Sequence, residues 1–127
     1  METIIIDSNI LIEFYRHRDK SKTTLFKLSS KYQFQVSAIT KYEIYRGDKK
    51  KDTFWESFFS NTVVLPFDSY CAQIAAEIYK DFKIRNLSVE TDDILIAATA
   101  IHFNLPLATI NRKHFDKIPN LILIDSL

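Results

Sequence analysis

Glycine is almost absent from this chain: a single one, Gly47, occurs among 127 residues. A dinucleotide-binding fingerprint or a P-loop needs at least two glycines at fixed spacing, so neither motif can be present. Any recognition of phosphate groups must therefore come from a bound metal ion or from basic side chains.

Cysteine, excess charge and long apolar segments are scarce as well. The only cysteine, Cys71, excludes an intrachain disulfide and is typical of a reducing compartment. No stretch approaches the roughly 18 consecutive apolar residues of a membrane-spanning helix, and the N-terminus lacks the features of a signal peptide. The formal net charge of +1 excludes a globally basic nucleic-acid-binding protein but allows a local basic patch. We expect a soluble, cytoplasmic protein that does not use a membrane.

Hydrophobic residues make up 46% of the chain, enough for a substantial core, and they occur in alternating strand-like and helix-like patterns. The patterns predict strands at residues 3–6, 34–37, 63–65, 107–110 and 121–124. They predict helices at residues 8–17, 23–30, 40–46, 52–60, 68–85 and 92–103. Strands that alternate with helices imply an α/β fold with a largely parallel sheet covered by helices on both faces. No linker interrupts the pattern, so residues 1–127 are predicted to form a single domain.

Helix ends and buried faces can be predicted in more detail. Gly47 is the glycine available to close the helix at residues 40–46 as a C-cap. Aspartates at positions 68 and 92 can cap the last two helices. The helix at residues 68–85 is predicted to bury Ala72, Ala75, Ile78 and Phe82.

Four polar motifs lie beside apolar runs: Asp7-Ser8-Asn9, Glu43, the pair Asp92-Asp93, and Asn111. Three of them occur where a strand or loop leads into a helix. In an open α/β sheet, ligands bind in the crevice at the carboxyl ends of the strands. Carboxylates gathered there repel one another, and a divalent cation is the usual means of holding them ionised together. The motifs therefore predict a metal-dependent phosphodiester hydrolase.

Each motif also has a purely structural interpretation. Asp7 could be a helix N-cap, and Thr40 with Glu43 fits a capping box. Only one of Asp92 and Asp93 is needed as a cap, and burying the second carboxylate without a partner would be costly. The last motif, taken alone, could be a turn.

The joint pattern of the motifs is more specific than any one of them. A strand ending in Asp-(Thr/Ser)-Asn is matched by residues 7–9, and Ser-x-x-Thr-x-x-Glu-(Leu/Ile)-x-x-Gly by residues 37–47. An Asp heading a Leu-Ile-Ala-Ala-Thr-Ala helix is matched by residues 93–100, and Thr-x-Asn-x-x-x-Phe by residues 109–115. In this order and spacing, over essentially the whole chain, the segments resemble the PIN domain and, within it, the VapC-type toxins of toxin–antitoxin pairs.

The resemblance implies a three-layer α/β/α fold with a central, mainly parallel sheet of about four to five strands. It also implies hydrolysis of RNA phosphodiester bonds with Mg²⁺ or Mn²⁺ held by Asp7, Glu43 and Asp93. The family register places the third carboxylate at Asp93 rather than at Asp92. Asn111 would complete the catalytic set by holding a water molecule or the scissile phosphate.

Further residues and partners follow from the same resemblance. Asn9 and Thr109 are candidates for orienting the carboxylates. His114 stands where the family usually has Asp, and the sequence assigns it no role. The expected partners are the RNA substrate, a second copy of the chain and a small antitoxin. In the aromatic segment 54–59, two rings are expected in the core, and the others could form a surface that binds a partner.

Basic residues and the remaining chemically active side chains are less informative. Arg112 and Lys113, next to the proposed site, are the better candidates for RNA contact, whereas Lys49–Lys51 fits a solvated loop. The sequence offers no partner for Cys71, His17 or His102, and no Cys/His cluster indicates zinc.

Two other functions are compatible with parts of the pattern. A haloacid-dehalogenase-type phosphatase would also begin with an Asp after the first strand, but it needs a second Asp where this chain has Asn9. A non-catalytic PIN-like module that binds RNA or protein is the main alternative. The three carboxylates argue against it, because clustering them without a metal ion would only destabilise the fold.

Overall fold

A computed structural model describes residues 1–125 of the chain. Within this range one parallel sheet has the strand order β3-β2-β1-β4, with β1 at Glu2–Ile6, β2 at Tyr32–Ser37, β3 at Val63–Leu65 and β4 at Leu107–Ala108. The α-helices of the same range are α1 Ser8–Arg16, α2 Thr24–Ser29, α3 Ala38–Gly47, α4 Thr53–Ser60, α5 Ser69–Ile84 and α6 Thr91–His102. Short 3₁₀ helices occur at Lys20–Lys22 and Arg112–His114. The α/β class and the parallel sheet are as predicted.

Strand β1 is buried on both faces because helices cover both sides of the sheet. Ile4, Ile5 and Ile6 have no exposed surface. Ile5 belongs to a core cluster formed mainly with residues of α5 and α6, whereas Ile4 and Ile6 pack with residues of α1 to α4. Successive strand residues face opposite sides of a sheet. The alternation therefore confirms a three-layer α/β/α arrangement, and each buried Ile contributes about 1.5–3 kcal/mol to its stability.

Helix α3 begins earlier than predicted, which changes the role open to Glu43. The hydroxyl of Ser37 accepts a hydrogen bond of 2.9 Å from the backbone N–H of Thr40, so Ser37 is the N-cap. The structural alternative for Glu43, a capping box with Thr40, is therefore excluded, because Thr40 lies inside the helix. Gly47 is likewise not a C-cap: it is the last helical residue, and the cap is Asp48 with φ −85°.

The two caps predicted for the last helices have opposite outcomes. Asp68 caps α5, since its carboxylate accepts a hydrogen bond of 3.0 Å from the N–H of Cys71. Helix α6, however, follows Glu90 as its N-cap residue, and the Glu90 side chain makes no capping bond. The prediction of Asp92 as N-cap is wrong, because Asp92 and Asp93 both lie within the first turn, where the helix dipole favours negative charge.

Some details of packing also differ from the sequence predictions. Ala72 is exposed, and Cys71 takes the buried position expected for it. The strand predicted at residues 121–124 is reduced to one bridge between Leu107 and Leu123, because the backbone pairs only around Leu107. In α4, Trp55 and Phe59 are buried as expected for two core aromatics. No helix within residues 1–125 combines the length and apolar character needed to cross a membrane.

Candidate active site

The carboxyl ends of β1 and β4 are adjacent, and this adjacency fixes the side chain of Asp7. The Asp7 N–H donates to the carbonyl of Ala108 at 2.9 Å. Its Oδ2 accepts a hydrogen bond of 2.7 Å from the hydroxyl of Thr109, and its Oδ1 accepts one of 2.8 Å from the N–H of Ser8. Only 4% of Asp7 is exposed. Burial raises the pKa of Asp7, and these hydrogen bonds oppose that rise by stabilising the charged form.

Asn9 fastens the segment after β4 to the start of α1. Its side-chain amide donates to the Thr109 hydroxyl at 3.3 Å, and its carbonyl oxygen accepts from the N–H of Ile110 at 3.3 Å. The N–H of Asn111 donates to the same hydroxyl at 3.1 Å. Thr109 is thus the centre of a network that holds Asp7 on one side and Asn111 on the other.

Helix α3 brings Glu43 to the same region with an unsatisfied carboxylate oxygen. Its Oε1 is buried and, within residues 1–125, has no hydrogen-bond partner. The pKa of Glu43 is raised from 4.5 to about 7, mainly by burial. The Ser8 side chain opposes this rise, and the charges of Asp7 and Asp92 add to it. A buried carboxylate oxygen without a donor is costly, so this atom is suited to a cation.

Asp93 and Asp92 have different surroundings although they are adjacent in the chain. The Asp93 side chain is 14% exposed, and its Oδ2 lies 3.2 Å from Nδ1 of His114. Burial, with a smaller effect of the Asp7 charge, raises the pKa of Asp93 from 3.8 to about 6. Asp92 is more exposed and is paired with Arg46 at 3.3 Å. Asp93 is therefore the better ligand candidate of the two.

One open cleft of about 420 Å³ joins all four residues proposed from the sequence. Its walls include Asp7, Glu43, Asp93 and Asn111, together with Ser8, Asn9, Ile12, Arg46, Glu90, Thr91, Asp92 and His114. The acidic side chains outnumber the single arginine in this lining. Such a concentration of oxygen donors fits a hard divalent cation such as Mg²⁺ or Mn²⁺.

Within the described residues, the donor atoms of Asp7, Glu43 and Asp93 do not all lie within 4.8 Å of one another. Within residues 1–125, the group of three potential ligands whose donor atoms all lie within 4.8 Å of one another is Asp68, Cys71 and His102, away from the cleft. Mg²⁺ usually keeps several of its waters and binds only one or two carboxylates directly. A hydrated ion in the cleft is therefore compatible with the spacing of Asp7, Glu43 and Asp93.

The comparisons with known proteins agree with this geometry. A model of the PIN domain matches residues 4–121. The chain belongs to the PIN domain family. It is 32% identical over 127 residues to "Ribonuclease VapC" of Rickettsia bellii, covering 93% of this chain and 92% of that protein. These matches confirm the resemblance drawn from the motifs of the chain.

Solved structures of the same family share the fold over almost the whole length of the chain. The crystal structure of VapBC2 from Rickettsia felis bound to a DNA fragment from their promoter has a TM-score of 0.79 and 26% identity, over 98% of this chain and 99% of that one. The crystal structure of DNA-bound VapBC from Salmonella typhimurium has a TM-score of 0.82 and 25% identity, over 98% of both chains.

Sequence reasoning missed several residues of the cleft in this PIN domain. His114 received no role, yet it contacts Asp93. Its signals in the sequence were that it replaces the usual Asp of the family and that it directly precedes Phe115, the buried residue that ends its 3₁₀ helix. Arg46 was missed because its partner Asp92 lies 46 positions away in the chain.

The basic residues are placed differently from the sequence expectation. The guanidinium of Arg112 donates to the carbonyl of Ile124 at 2.5 Å, so it is bound to the C-terminal segment. Lys113 lines a cavity next to the cleft, and Asp93 and His114 line this cavity as well. Lys49 and Lys50, expected to be merely solvated, line a second cavity of about 410 Å³.

That second cavity borders the candidate active site, because Ile12 and Glu43 line both. Its other charged lining residues are Arg16, Lys49, Lys50 and Asp48. Three basic side chains therefore lie close to the acidic cleft.

Proposed function

We propose that this PIN domain is an endoribonuclease that requires Mg²⁺ or Mn²⁺, bound by Asp7, Glu43 and Asp93. The observation that carries the proposal is the buried, unpartnered Oε1 of Glu43 in a cleft shared with the other two carboxylates. The raised pKa values of Glu43 and Asp93 support it, because burial makes both charges costly and the contacts with Ser8 and His114 offset only part of that cost.

The protein side chains have separable roles in hydrolysis of a phosphodiester. Bound in the cleft, a divalent ion supplies a Lewis acid that lowers the pKa of water and polarises a phosphoryl oxygen. Thr109 and Ser8 hold the Asp7 carboxylate in one orientation. His114 holds the Asp93 carboxylate in one orientation and is therefore a positioning residue. Asn111 holds the attacking water or the scissile phosphate beside them.

The RNA backbone would approach across the basic cavity beside Glu43. Arg16, Lys49 and Lys50 can contact phosphates there, and Arg46 lines the cleft itself, where it pairs with Asp92. Contacts of this kind give affinity that depends on salt but carry no sequence information. The proposal therefore assigns substrate positioning to these residues and leaves the selection of bases to other contacts.

We also propose that the chain is the toxin of a toxin–antitoxin pair and forms a homodimer, with residues 1–127 as one PIN domain. The similar structures are complexes of the VapBC type, which supports a small antitoxin as partner. The partly buried rings of Phe54 and Phe58 offer apolar area beside the core for such a partner.

A non-catalytic binding module is the alternative, and a cleavage assay separates the two. Wild-type protein should cut RNA with Mg²⁺ or Mn²⁺ present, and EDTA should abolish the activity. Glu43→Gln and Asp93→Asn should each lose at least about 100-fold, the scale expected when a charge that acts in the transition state is removed. Asp92→Asn is the matched control and should stay within a few-fold of wild type. Cleavage that survives in Asp93→Asn but not in Asp92→Asn would shift the register by one residue, and metal-independent binding without cleavage would favour the module.

A further inference from the structure

A second group of metal-ligating side chains lies between helices α5 and α6. It consists of Asp68, Cys71 and His102, and one donor atom from each lies within 4.8 Å of the other two. We propose that these three side chains bind a thiophilic transition-metal ion, Zn²⁺ in the first place, with solvent at a fourth position. The sequence shows no Cys/His cluster because Cys71 and His102 are 31 positions apart in the chain. The packing of α5 against α6 brings them together.

The capping of α5 leaves one carboxylate oxygen of Asp68 available. Oδ1 accepts the N–H of Cys71 at 3.0 Å, and Oδ2 lies 3.5 Å from Nε2 of His102. Residues three positions apart share a helix face, so the Cys71 thiol lies on the same side of α5 as the carboxylate. An ion pair between Asp68 and His102 would account for two members of the group. The Cys71 thiol donates a weak hydrogen bond of 3.8 Å to the carbonyl of Pro66, and metal binding would replace that bond.

The imidazole of His102 is held in place by aromatic rings. The Tyr70 ring stacks on it with 5.6 Å between ring centroids and an interplanar angle of 9°. The Phe103 ring packs against it edge-on, with 4.8 Å between centroids. These two rings limit the orientations open to the imidazole, whose Nε2 lies 3.5 Å from Oδ2 of Asp68. The ring and the Asp68 carboxylate are 27% and 40% exposed, while Cys71 is fully buried. Two of the three donor side chains are therefore in contact with solvent, and Cys71 is the buried member of the group.

The donor set indicates the kind of ion. Thiolate, imidazole and carboxylate together suit Zn²⁺, whose bonds to them are about 2.0–2.3 Å long. Tetrahedral bonds of that length separate neighbouring donors by about 3.5 Å, which is close to the observed Asp68–His102 distance of 3.5 Å. The thiol proton passes to solvent when the ion binds.

The site is separate from the candidate active site. His102 and Asp93 lie at opposite ends of α6, nine residues and about 13 Å apart along the helix axis. Bound metal would join α5 to α6, and its presence can be measured without any nuclease assay. Failure of the proposed nuclease function would leave this inference untouched.

Cobalt substitution tests the site directly. The untagged full chain contains one cysteine, so any thiolate-to-Co²⁺ charge-transfer absorption must come from Cys71. We expect one equivalent of Co²⁺ to produce that near-ultraviolet band and one equivalent of Zn²⁺ to remove it. Cys71→Ala should abolish the band, and His102→Asn should weaken Co²⁺ binding at least about tenfold.

Two controls separate loss of a ligand from loss of structure. Asp68→Asn keeps an equally good helix cap but removes the carboxylate, so it should weaken Co²⁺ binding while circular dichroism stays unchanged. His17→Asn alters an exposed histidine outside the group and should leave the titration unchanged. Absence of the band at saturating Co²⁺, or equal Co²⁺ affinity in wild type and His102→Asn, would overturn the proposal.

Discussion

The hydroxyl of Thr109 donates a hydrogen bond of 2.7 Å to Oδ2 of Asp7, although the two residues lie 102 positions apart in the chain. The bond joins the ends of β1 and β4, the two strands at which the sheet order reverses along the chain. Ligand sites of open α/β sheets form at such reversals. Because Ser8 holds the other oxygen, the Asp7 carboxylate is oriented by the fold itself.

Replacing Thr109 by Val should weaken metal binding more than it perturbs packing. The change keeps a β-branched side chain but removes the donor to Asp7 and the acceptor for Asn9. We expect Mn²⁺ affinity to fall about 10- to 100-fold and the free energy of unfolding to fall by about 1–2 kcal/mol. Isothermal titration calorimetry and thermal denaturation measure the two effects. Thr109→Ser keeps the hydroxyl and should preserve the Mn²⁺ affinity, although loss of the buried methyl group costs about 1 kcal/mol of stability. Equal Mn²⁺ affinity in the Val and Ser variants would contradict the orienting role.

Asp93→Asn should stabilise the metal-free protein. At neutral pH the Asp93 carboxylate is ionised although it is mostly buried, and this charge lowers the free energy of unfolding. The raised pKa of Asp93 reflects the same cost. We expect a gain of about 1 kcal/mol after allowance for solvent screening, equivalent to about 3–5 °C in Tm. Asp92→Asn should not be stabilising, because it removes the partner of Arg46. A lower Tm for Asp93→Asn than for Asp92→Asn would speak against this reading.

The stability of the metal-free protein should depend on pH in a defined direction. The pKa values of Glu43 and Asp93 are raised to about 7 and about 6 in the folded state, mainly by burial. The folded state thus binds these protons more tightly, so their stabilising contribution is complete below about pH 4 and is lost as the pH rises through about 6 to 7.

Denaturation at several pH values, with and without Mn²⁺, measures this effect. We expect a higher Tm near pH 5.5 than near pH 7.5 without metal, and a Mn²⁺-induced rise in Tm that grows with pH because the ion binds deprotonated carboxylates. The double variant Glu43→Gln/Asp93→Asn should flatten the metal-free profile. An equally steep profile in that variant would assign the pH dependence to other groups.

His114→Ala should lower the affinity of the cleft for Mn²⁺. Its Nδ1 lies 3.2 Å from Oδ2 of Asp93, so the substitution releases the carboxylate from one orientation. We expect a loss of about tenfold in Mn²⁺ affinity, read by calorimetry independently of RNA cleavage. Lys113→Ala, one residue earlier, is the matched control. If both variants bind Mn²⁺ like wild type, His114 does not position Asp93.

Gly47→Ala should stabilise the protein. Gly47 is helical, has no positive φ, and a methyl group added at its Cα would meet nothing within 4 Å. We expect a gain of about 0.4–1 kcal/mol from reduced freedom of the unfolded chain, measured by urea denaturation. A loss of stability would restore the C-cap role that the sequence suggested.

The fold was largely predictable because the strands are short apolar runs with distinct helical spacing between them. Ile4 to Ile6, for example, identify the central strand without further information. Helix starts were predicted less well. Ser37 and Thr40 both satisfy the rules for an N-cap, and only the tertiary position of β2 decides in favour of Ser37.

The residues of the candidate site also fall into a group that the sequence predicts and a group that it does not. Asp7, Glu43, Asp93 and Asn111 follow from motifs that lie next to strand and helix ends. His114 and Arg46 act through partners brought together by the fold, as does the group formed by Asp68, Cys71 and His102, and no local pattern identifies such pairings.

A crystal structure with Mn²⁺ and its anomalous difference map would test the central claim most directly. We expect a single strong peak in the cleft, within bonding distance or one water molecule of Asp7, Glu43 and Asp93, and its loss in Asp93→Asn. Mn²⁺ bound at saturation but located away from all three carboxylates would contradict the proposed metal-dependent mechanism.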